Sequence, residues 1–351
     1  MIYLYVFIFC LLLVFIENMQ GSQKYLVPIR WGFLGFLMLF IGFRMTGPDY
    51  YSYTSIFYAT EDYIDTVEYF FILTMNWANK IKLPYNYYLF IIAVLSISIR
   101  YYVIKQYSPY ICLSFYLSIV FIGDMGQIRA ALAGATCWLA VPYCEERKIT
   151  KFAIVILIAS LMHTSALVFA VVYFLTPLRI KFPYMVLIWF ICYLASWFLN
   201  DTMLGEWVDT FAKDTLIDTK MEYYSSDDGQ FTGRVAYSIV GNVFKLLTLA
   251  VIYYGDINND RLKSVFLNCY FFGVCLFFVF GFSEIMSARL SGYFISLEII
   301  IIPMVLYFIK DKLTYWILLS AFVIRAFYQF YVLIYIKGVE LYFPYRNFLL
   351  Q

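Results

Sequence analysis

Ionisable and hydroxyl-bearing residues stand at a few places beside the long apolar segments of this sequence. Residues 43–58, FRMTGPDYYSYTSIFY, include Arg44, Asp49, Tyr53 and three further tyrosines. At a membrane edge a guanidinium, a carboxylate and phenol groups must be hydrated or hydrogen-bonded, so they add nothing to stability in a bilayer. The stretch is therefore a candidate functional loop. The alternative is a tyrosine belt at the headgroup zone, which occurs whatever the function.

A second polar group opens an apolar segment at Gln127 and Arg129, after a glycine-containing turn. The first turn of a helix presents unpaired amide hydrogens, and an arginine there adds donors suited to a phosphate or diphosphate. A snorkelling arginine at an ordinary helix start would give the same pattern.

His163 lies inside the apolar run 151–176, where an ionisable side chain is costly and by default suspected of function. Its alternative is a neutral imidazole bonded to a carbonyl of the next helix. Arg289 and Tyr293 are four residues apart, so a helix would place both on one face. Here the structural alternative is a basic helix end beside a belt tyrosine.

Composition assigns these residues to a membrane protein. The chain has 351 residues, of which 64% are hydrophobic and 14% charged, whereas soluble proteins are about half apolar. The net charge of +2 does not indicate nucleic-acid binding. The seven cysteines occur without C-x-x-C spacing and His163 is the one histidine, so we expect neither a metal site nor a cofactor.

Apolar runs of spanning or near-spanning length recur from residue 2 to residue 335. They predict an all-α polytopic membrane protein with about 10–12 transmembrane helices, forming one membrane domain over residues 1–351. No internal repeat is evident.

The distribution of charge predicts the orientation. Residues 44–68 contain five acids against Arg44, and residues 200–233 contain eight acids against two lysines. Under the positive-inside rule both stretches face outward, the first as a loop over 44–85 with an amphipathic helix at 63–83, the second as a large acidic loop. The basic clusters at 147–151 and 179–181 then face the cytoplasm.

These two basic clusters impose a further constraint, because a single apolar run, 151–176, separates them. One spanning helix would put the clusters on opposite sides of the membrane. A re-entrant hairpin or two half-helices, with a break near 161–165, would keep them on the same side.

Five motifs in order resemble the EpsG family of Wzy-type polysaccharide polymerases. They are Arg44-x-x-Gly47-x-Asp49-Tyr50-x-x-Tyr53, Gln127-Ile128-Arg129-x-x-Leu132-Ala133, His163-x-Ser165-Ala166, Arg289-x-x-x-Tyr293 and Pro344-Tyr345-Arg346. The resemblance covers nearly the whole chain.

The resemblance implies a GT-C-like, metal-independent glycosyltransferase of the bacterial inner membrane. Such an enzyme joins undecaprenyl-diphosphate-linked oligosaccharide repeat units on the periplasmic face and releases undecaprenyl diphosphate. Its implied partners are the lipid-linked donor, the lipid-linked acceptor and the bilayer. The resemblance also allows a protein that regulates chain length as a partner.

The same resemblance implies roles for individual residues. Arg44, Arg129, Arg289 and Arg346, with Tyr53 and Tyr293, are the expected contacts of substrate and diphosphate, since arginine offers bidentate donors. A sugar hydroxyl that attacks an anomeric carbon must lose its proton, and Asp49 and His163 are both candidates for the base. Two other functions remain open: a membrane O-acyltransferase, which also uses an intramembrane histidine, and a lipid-linked sugar flippase.

The orientation can be tested with single cysteines at Ser226 and Thr150 in a background without the seven native cysteines. Ser226→Cys should react with an impermeant maleimide in intact cells, because the acidic loop is predicted to face outward. Thr150→Cys should react only after permeabilisation. The opposite pattern would contradict the assignment.

Overall fold

The computed structural model describes residues 2–18, 23–64, 66–119, 125, 127–199, 235, 237–257 and 259–351. The predicted acidic loop at 200–233 lies outside these residues. In the described part the chain is helical, and its one β-type pairing is the isolated bridge between Arg44 and Asn347.

The described residues form seventeen α-helices in chain order. They are α1 (Ile2–Asn18), α2 (Gln23–Gly42), α3 (Tyr50–Tyr58), α4 (Tyr69–Lys80), α5 (Tyr85–Tyr107), α6 (Ile111–Ile119), α7 (Ile128–Trp138), α8 (Val141–Glu145), α9 (Ile149–Met162), α10 (Val172–Leu175), α11 (Phe182–Ala195), α12 (Ile239–Tyr254), α13 (Asp260–Val279), α14 (Glu284–Ile295), α15 (Glu298–Phe308), α16 (Lys312–Tyr331) and α17 (Val339–Tyr342).

Four helical segments of the described chain are long and apolar enough to cross a membrane: Tyr85–Tyr107, Asp260–Val279, Glu284–Phe308 and Lys312–Lys337. The 23 residues of the first give about 35 Å of helix, against a hydrocarbon core of about 30 Å. Six shorter apolar helices of 10–17 residues accompany them. The prediction of an all-α polytopic membrane protein is confirmed. The count of about 10–12 spanning helices and the GT-C-like arrangement remain predictions.

Polar side chains fix the starts of several helices. The side chain of Asn259 accepts hydrogen bonds from the backbone of Arg261 and Leu262 at the start of α13. Asp311 accepts one from the backbone of Thr314 at the start of α16. Each cap satisfies amide hydrogens that the first helical turn leaves without a partner.

The chain divides into two compact units, Met1–Tyr173 with Gly255–Asn258 and Ile299–Gln351, and Phe174–Tyr254 with Asn259–Glu298. In the second unit α13 and α14 cross closely, because a Cβ at Gly273 would lie 2.5 Å from the Cβ of Phe294. Beside this crossing, Phe278 contacts the rings of Trp189, Tyr193 and Tyr237.

The predicted break in the run 151–176 is present in the first unit. Helix α9 ends at Met162, His163 is extended (φ −157°, ψ 120°), and a 3-10 helix follows at Thr164–Val171. The two arms form a hairpin, because Arg147 and Tyr173 are in contact beyond its open end. The Arg147 guanidinium donates to the Tyr173 carbonyl at 2.5 Å and lies 4.0 Å from the centre of its ring, and the Tyr173 hydroxyl donates to the Arg147 carbonyl at 2.9 Å. His163 therefore stands at the tip.

The predicted helix at 63–83 is shorter than expected. Helix α4 begins at Tyr69, because Glu68 has an extended backbone (φ −63°, ψ 144°) and Val67 donates its amide to Tyr63 in the preceding turn. Helix α4 buries one face, which includes Phe71 and Met75, in a core shared with α3 and α5.

The C-terminal segment is tied to the loop that follows α2. The backbone amide of Met45 donates to the Arg346 carbonyl, that of Gly47 to Leu341, and that of Phe348 to Phe43, each at 2.8 Å. The loop therefore has a fixed partner strand although the pairing is too short to form a sheet.

The contact at the open end of the hairpin predicts two separate losses of stability. Tyr173→Phe removes the hydrogen bond to the Arg147 carbonyl, and Arg147→Lys removes the guanidinium from the Tyr173 carbonyl and ring. Each change should lower the melting temperature in detergent by about 2–4 °C. The double variant should lose about the sum, because each side chain bonds the backbone of the other residue. Lys148→Gln is the control, since it breaks only an exposed ion pair with Glu146. Melting temperatures of both single variants equal to that of the control would contradict the contact.

Candidate active site

A carboxylate joins two of the predicted site residues inside the first unit. Glu68 Oε2 accepts a hydrogen bond from Arg129 Nη1 at 2.5 Å, and Glu68 Oε1 lies 2.7 Å from His163 Nδ1. The backbone amide of Thr164 also donates to Oε1 at 3.4 Å. Arg129 and His163 follow Glu68 by 61 and 95 positions in the sequence, and the fold brings both to its side chain.

Each member of this cluster is placed by the end of a helical element. Glu68 is the residue before α4, Arg129 is in the first turn of α7, and His163 follows the last residue of α9. Helix α7 packs against α9 and α5, and α4 also packs against α9. The three helix ends therefore meet at the hairpin tip.

The cluster is buried, which decides its protonation. Glu68 and His163 expose 8% and 7% of their surface. A buried carboxylate is stable only when it is paired and hydrogen-bonded, and the Arg129 guanidinium and the Thr164 amide favour the ionised form. Because an ionised carboxylate only accepts, His163 Nδ1 must donate to it, and in the neutral imidazole the lone pair is then on Nε2.

Tyr53 extends the cluster. Its hydroxyl accepts a hydrogen bond from Arg129 Nε at 3.0 Å, and the guanidinium carbon lies 5.5 Å from the ring centre. Burial raises the pKa of Tyr53, Arg129 opposes this, and the charges of Asp49 and Glu68 add to the increase. The phenol is therefore neutral near physiological pH and keeps a proton to donate.

Asp49 and Arg346 line one pocket of about 270 Å³ in the first unit. Asp49 precedes α3 and has a left-handed backbone (φ 60°), and its side chain does not cap the helix. Both side chains are exposed. The other lining residues are Met45, Thr46, Gly47, Tyr50, Tyr51, Ser52, Glu340, Leu341, Phe343 and Pro344.

Arg44 occupies a different environment from the one that the sequence indicated. It is 2% exposed, and its Nη1 donates to the Ile41 carbonyl at 2.8 Å. Burial lowers the pKa of Arg44, and the phenols of Tyr85, Tyr342, Tyr3 and Tyr345 oppose this shift. Among the described residues no carboxylate forms an ion pair with it. Its guanidinium lies beside Gly47 of the loop and is closed to a large ligand in this conformation.

Arg289 and Tyr293 lie on α14 of the second unit, one helical turn apart, as the spacing predicts. Tyr293 is buried and Arg289 is half-buried. Ser287 on the same helix donates to the Phe277 carbonyl at 2.8 Å, which fixes α14 to the end of α13. Their substrate-binding roles remain predictions.

Glu68 is the residue that the sequence argument missed. It counted only as one of the five acids in residues 44–68, although it directly precedes the apolar helix α4. An acid at the first turn of an apolar helix near a membrane is a signal that could have singled it out.

Comparison with known proteins identifies the family. The family model described as EpsG matches residues 24–347. The chain belongs to the EpsG family. This family is associated with Wzy-type polymerases, and membership supports a membrane polysaccharide polymerase-like function in general. No curated protein and no solved structure matches the chain.

Glu68 should be essential to the fold of the cluster. Glu68→Gln leaves the Arg129 charge buried without a carboxylate, which costs about 3–5 kcal/mol and should lower the melting temperature by about 10 °C. The double variant Glu68→Gln/Arg129→Met removes that stranded charge and should regain part of the loss. The exposed acid Glu61 gives the matched control, Glu61→Gln. Equal melting temperatures for both single variants would contradict a buried ion pair.

Proposed function

We propose that this EpsG family protein is a polymerase glycosyltransferase of the bacterial inner membrane. It joins undecaprenyl-diphosphate-linked oligosaccharide repeat units on the periplasmic face and releases undecaprenyl diphosphate. The observation that carries the proposal is the buried contact between Glu68 and His163, in which a carboxylate orients an imidazole. That arrangement is suited to accepting a proton from a nucleophile.

In the proposed reaction a hydroxyl of the acceptor sugar attacks the anomeric carbon of the donor chain. The new glycosidic C–O bond forms as the bond between that carbon and the diphosphate oxygen breaks. The hydroxyl proton passes to Nε2 of His163, and the electron pair of the broken bond leaves with undecaprenyl diphosphate. Glu68 stabilises the imidazolium that results, because it already accepts from Nδ1.

Arg129 is the proposed contact for the departing diphosphate. Its Nη1 and Nε are engaged by Glu68 and Tyr53, and Nη2 has no hydrogen-bond partner among the described residues. The guanidinium side chain is 21% exposed, so Nη2 can reach a ligand while the rest of the group stays fixed. Such preorganised donors stabilise charge that develops in the transition state. For Arg289 and Tyr293 the proposal rests on the resemblance alone.

Asp49 remains the rival base. Its carboxylate is exposed, whereas His163 is buried beside a fixed partner. A buried imidazole with an orienting carboxylate is the better-placed base, because its neutral form has a lone pair on Nε2 and Glu68 stabilises its charged form. We therefore assign the base to His163 and keep Asp49 as the alternative.

Purified protein given lipid-linked repeat units should form a ladder of polymer lengths, which neither an acyltransferase nor a flippase would produce. His163→Gln retains hydrogen-bonding atoms but cannot take the proton, so polymer formed per folded molecule should fall about 10²- to 10⁴-fold. Asp49→Asn should lose far less, and Asp62→Asn, which changes another exposed acid, serves as its control.

The pH profile separates a catalytic from a structural histidine. With His163 as the base, the wild-type rate should fall on acidification, because a protonated imidazole cannot accept the proton. Normal specific activity in His163→Gln together with an inactive Asp49→Asn would transfer the role to Asp49. Absence of any ladder with the wild-type protein would refute the proposed function.

A further inference from the structure

We propose that the pocket between residues 45–52 and 340–346 binds the terminal sugar of the acceptor oligosaccharide. This inference rests on the proposed function, and it assigns Arg346 to the sugar instead of the diphosphate, together with Asp49 and Glu340. The lining mixes hydrogen-bonding side chains with apolar and aromatic surface. A sugar ring needs both, because its hydroxyls donate and accept while its C–H faces are apolar.

The charge of the lining distinguishes a sugar from an anion. Asp49 and Glu340 carry two negative charges against the one positive charge of Arg346. A net negative lining repels a diphosphate, and the arginine weakens the attraction of the two carboxylates for a cation. Neutral vicinal hydroxyls fit this set, because carboxylates accept from them and the guanidinium donates to them.

The size of the pocket limits what it can hold. Its volume of about 270 Å³ is below the 300–1,000 Å³ typical of sites for drug-sized ligands. One sugar ring fits, and an extended oligosaccharide does not. The site therefore suits the end of a chain, which is where an acceptor presents its attacking hydroxyl.

The pocket and the buried cluster are joined by one turn of α3. The backbone amide of Tyr53 donates to the Asp49 carbonyl at 2.9 Å, and the Tyr53 hydroxyl accepts from Arg129. The charge of Asp49 also acts on the Tyr53 phenol. A sugar held by Asp49 would thus lie one helical turn from the tyrosine that contacts Arg129.

Both walls of the pocket are held in place without a ligand. The three backbone hydrogen bonds of residues 43–47 with 341–348 fix the walls to each other. Gly47 has φ +112°, which side chains rarely adopt, and its Cβ position would lie 3.6 Å from the buried Arg44 Nε. Arg44 is buried beside Gly47 and is not part of the pocket lining, so it would not touch the sugar.

The test uses two variants in the full-length protein. Glu340→Gln removes a charged acceptor and Ser52→Phe fills space, and both positions are exposed, so folding should persist. The probe is the lipid-free repeat-unit oligosaccharide, released from the host's own lipid-linked intermediates and titrated calorimetrically. We expect both variants to bind it about 10- to 100-fold more weakly than wild type. In the polymerisation assay the KM for the acceptor should rise while kcat changes little.

Glu61→Gln, which changes an exposed acid outside the pocket lining, should leave both measurements unchanged. A ladder formed with wild-type KM by both pocket variants would overturn the subsite and leave the proposed function intact. Oligosaccharide binding that depends on Glu340, with no ladder, would uphold the subsite and refute the polymerase. Displacement of the oligosaccharide by inorganic diphosphate, or its loss on chelation of divalent cations, would overturn the assignment to a sugar.

Discussion

The carboxylate of Glu68 is the constraint around which the first unit is arranged. An ionised group with 8% exposure is stable only if its partners are supplied together, and they come from α7 and the hairpin tip. This explains why α9 stops inside an apolar run. The break gives His163 an extended backbone and frees the Thr164 amide to donate to the same carboxylate. A continuous helix would have used that amide within its own ladder.

The first unit buries a second charge, that of Arg44. The groups that oppose the effect of burial on the Arg44 charge are tyrosines instead of acids, and its Nη1 donates to one backbone carbonyl. Tyr345 stacks on Phe40 at 4.6 Å and donates its hydroxyl to the Phe40 carbonyl. These Tyr345 contacts and the backbone hydrogen bonds hold the C-terminal segment against α2 and the loop 43–47. A chain end that is far away in sequence thereby forms one wall of the pocket.

The sequence predicted the features that depend on local pattern or on charge parity. The helical class follows from the apolar runs, and the hairpin follows from two basic clusters that flank a single run. Tyr53, Arg129 and His163 stood out because polar groups are costly in such a chain. Glu68, which joins Arg129 and His163, could not be predicted as their partner. Its contacts lie 61 and 95 positions apart in the sequence, so they depend on how the helix ends meet. The burial of Arg44 could not be predicted for a related reason: an arginine just after an apolar segment is typical of an interface, and the tyrosines that act on its charge come from distant parts of the sequence.

A comparison within the chain explains why the Glu68 cluster, and not every buried ion pair, is a candidate for chemistry. Glu17 is also buried and paired with an arginine, since it accepts from Arg30 at 2.7 Å and from the amides of Cys112 and Leu113. These donors are a guanidinium and two backbone amides, which do not titrate near neutral pH, so they hold α1, α2 and α6 together at Glu17. Glu68 differs because one of its donors is an imidazole, whose second nitrogen can gain and lose a proton near neutral pH. Arg129 fixes the charge of Glu68, and this leaves His163 as the member of the cluster whose protonation can change during a reaction.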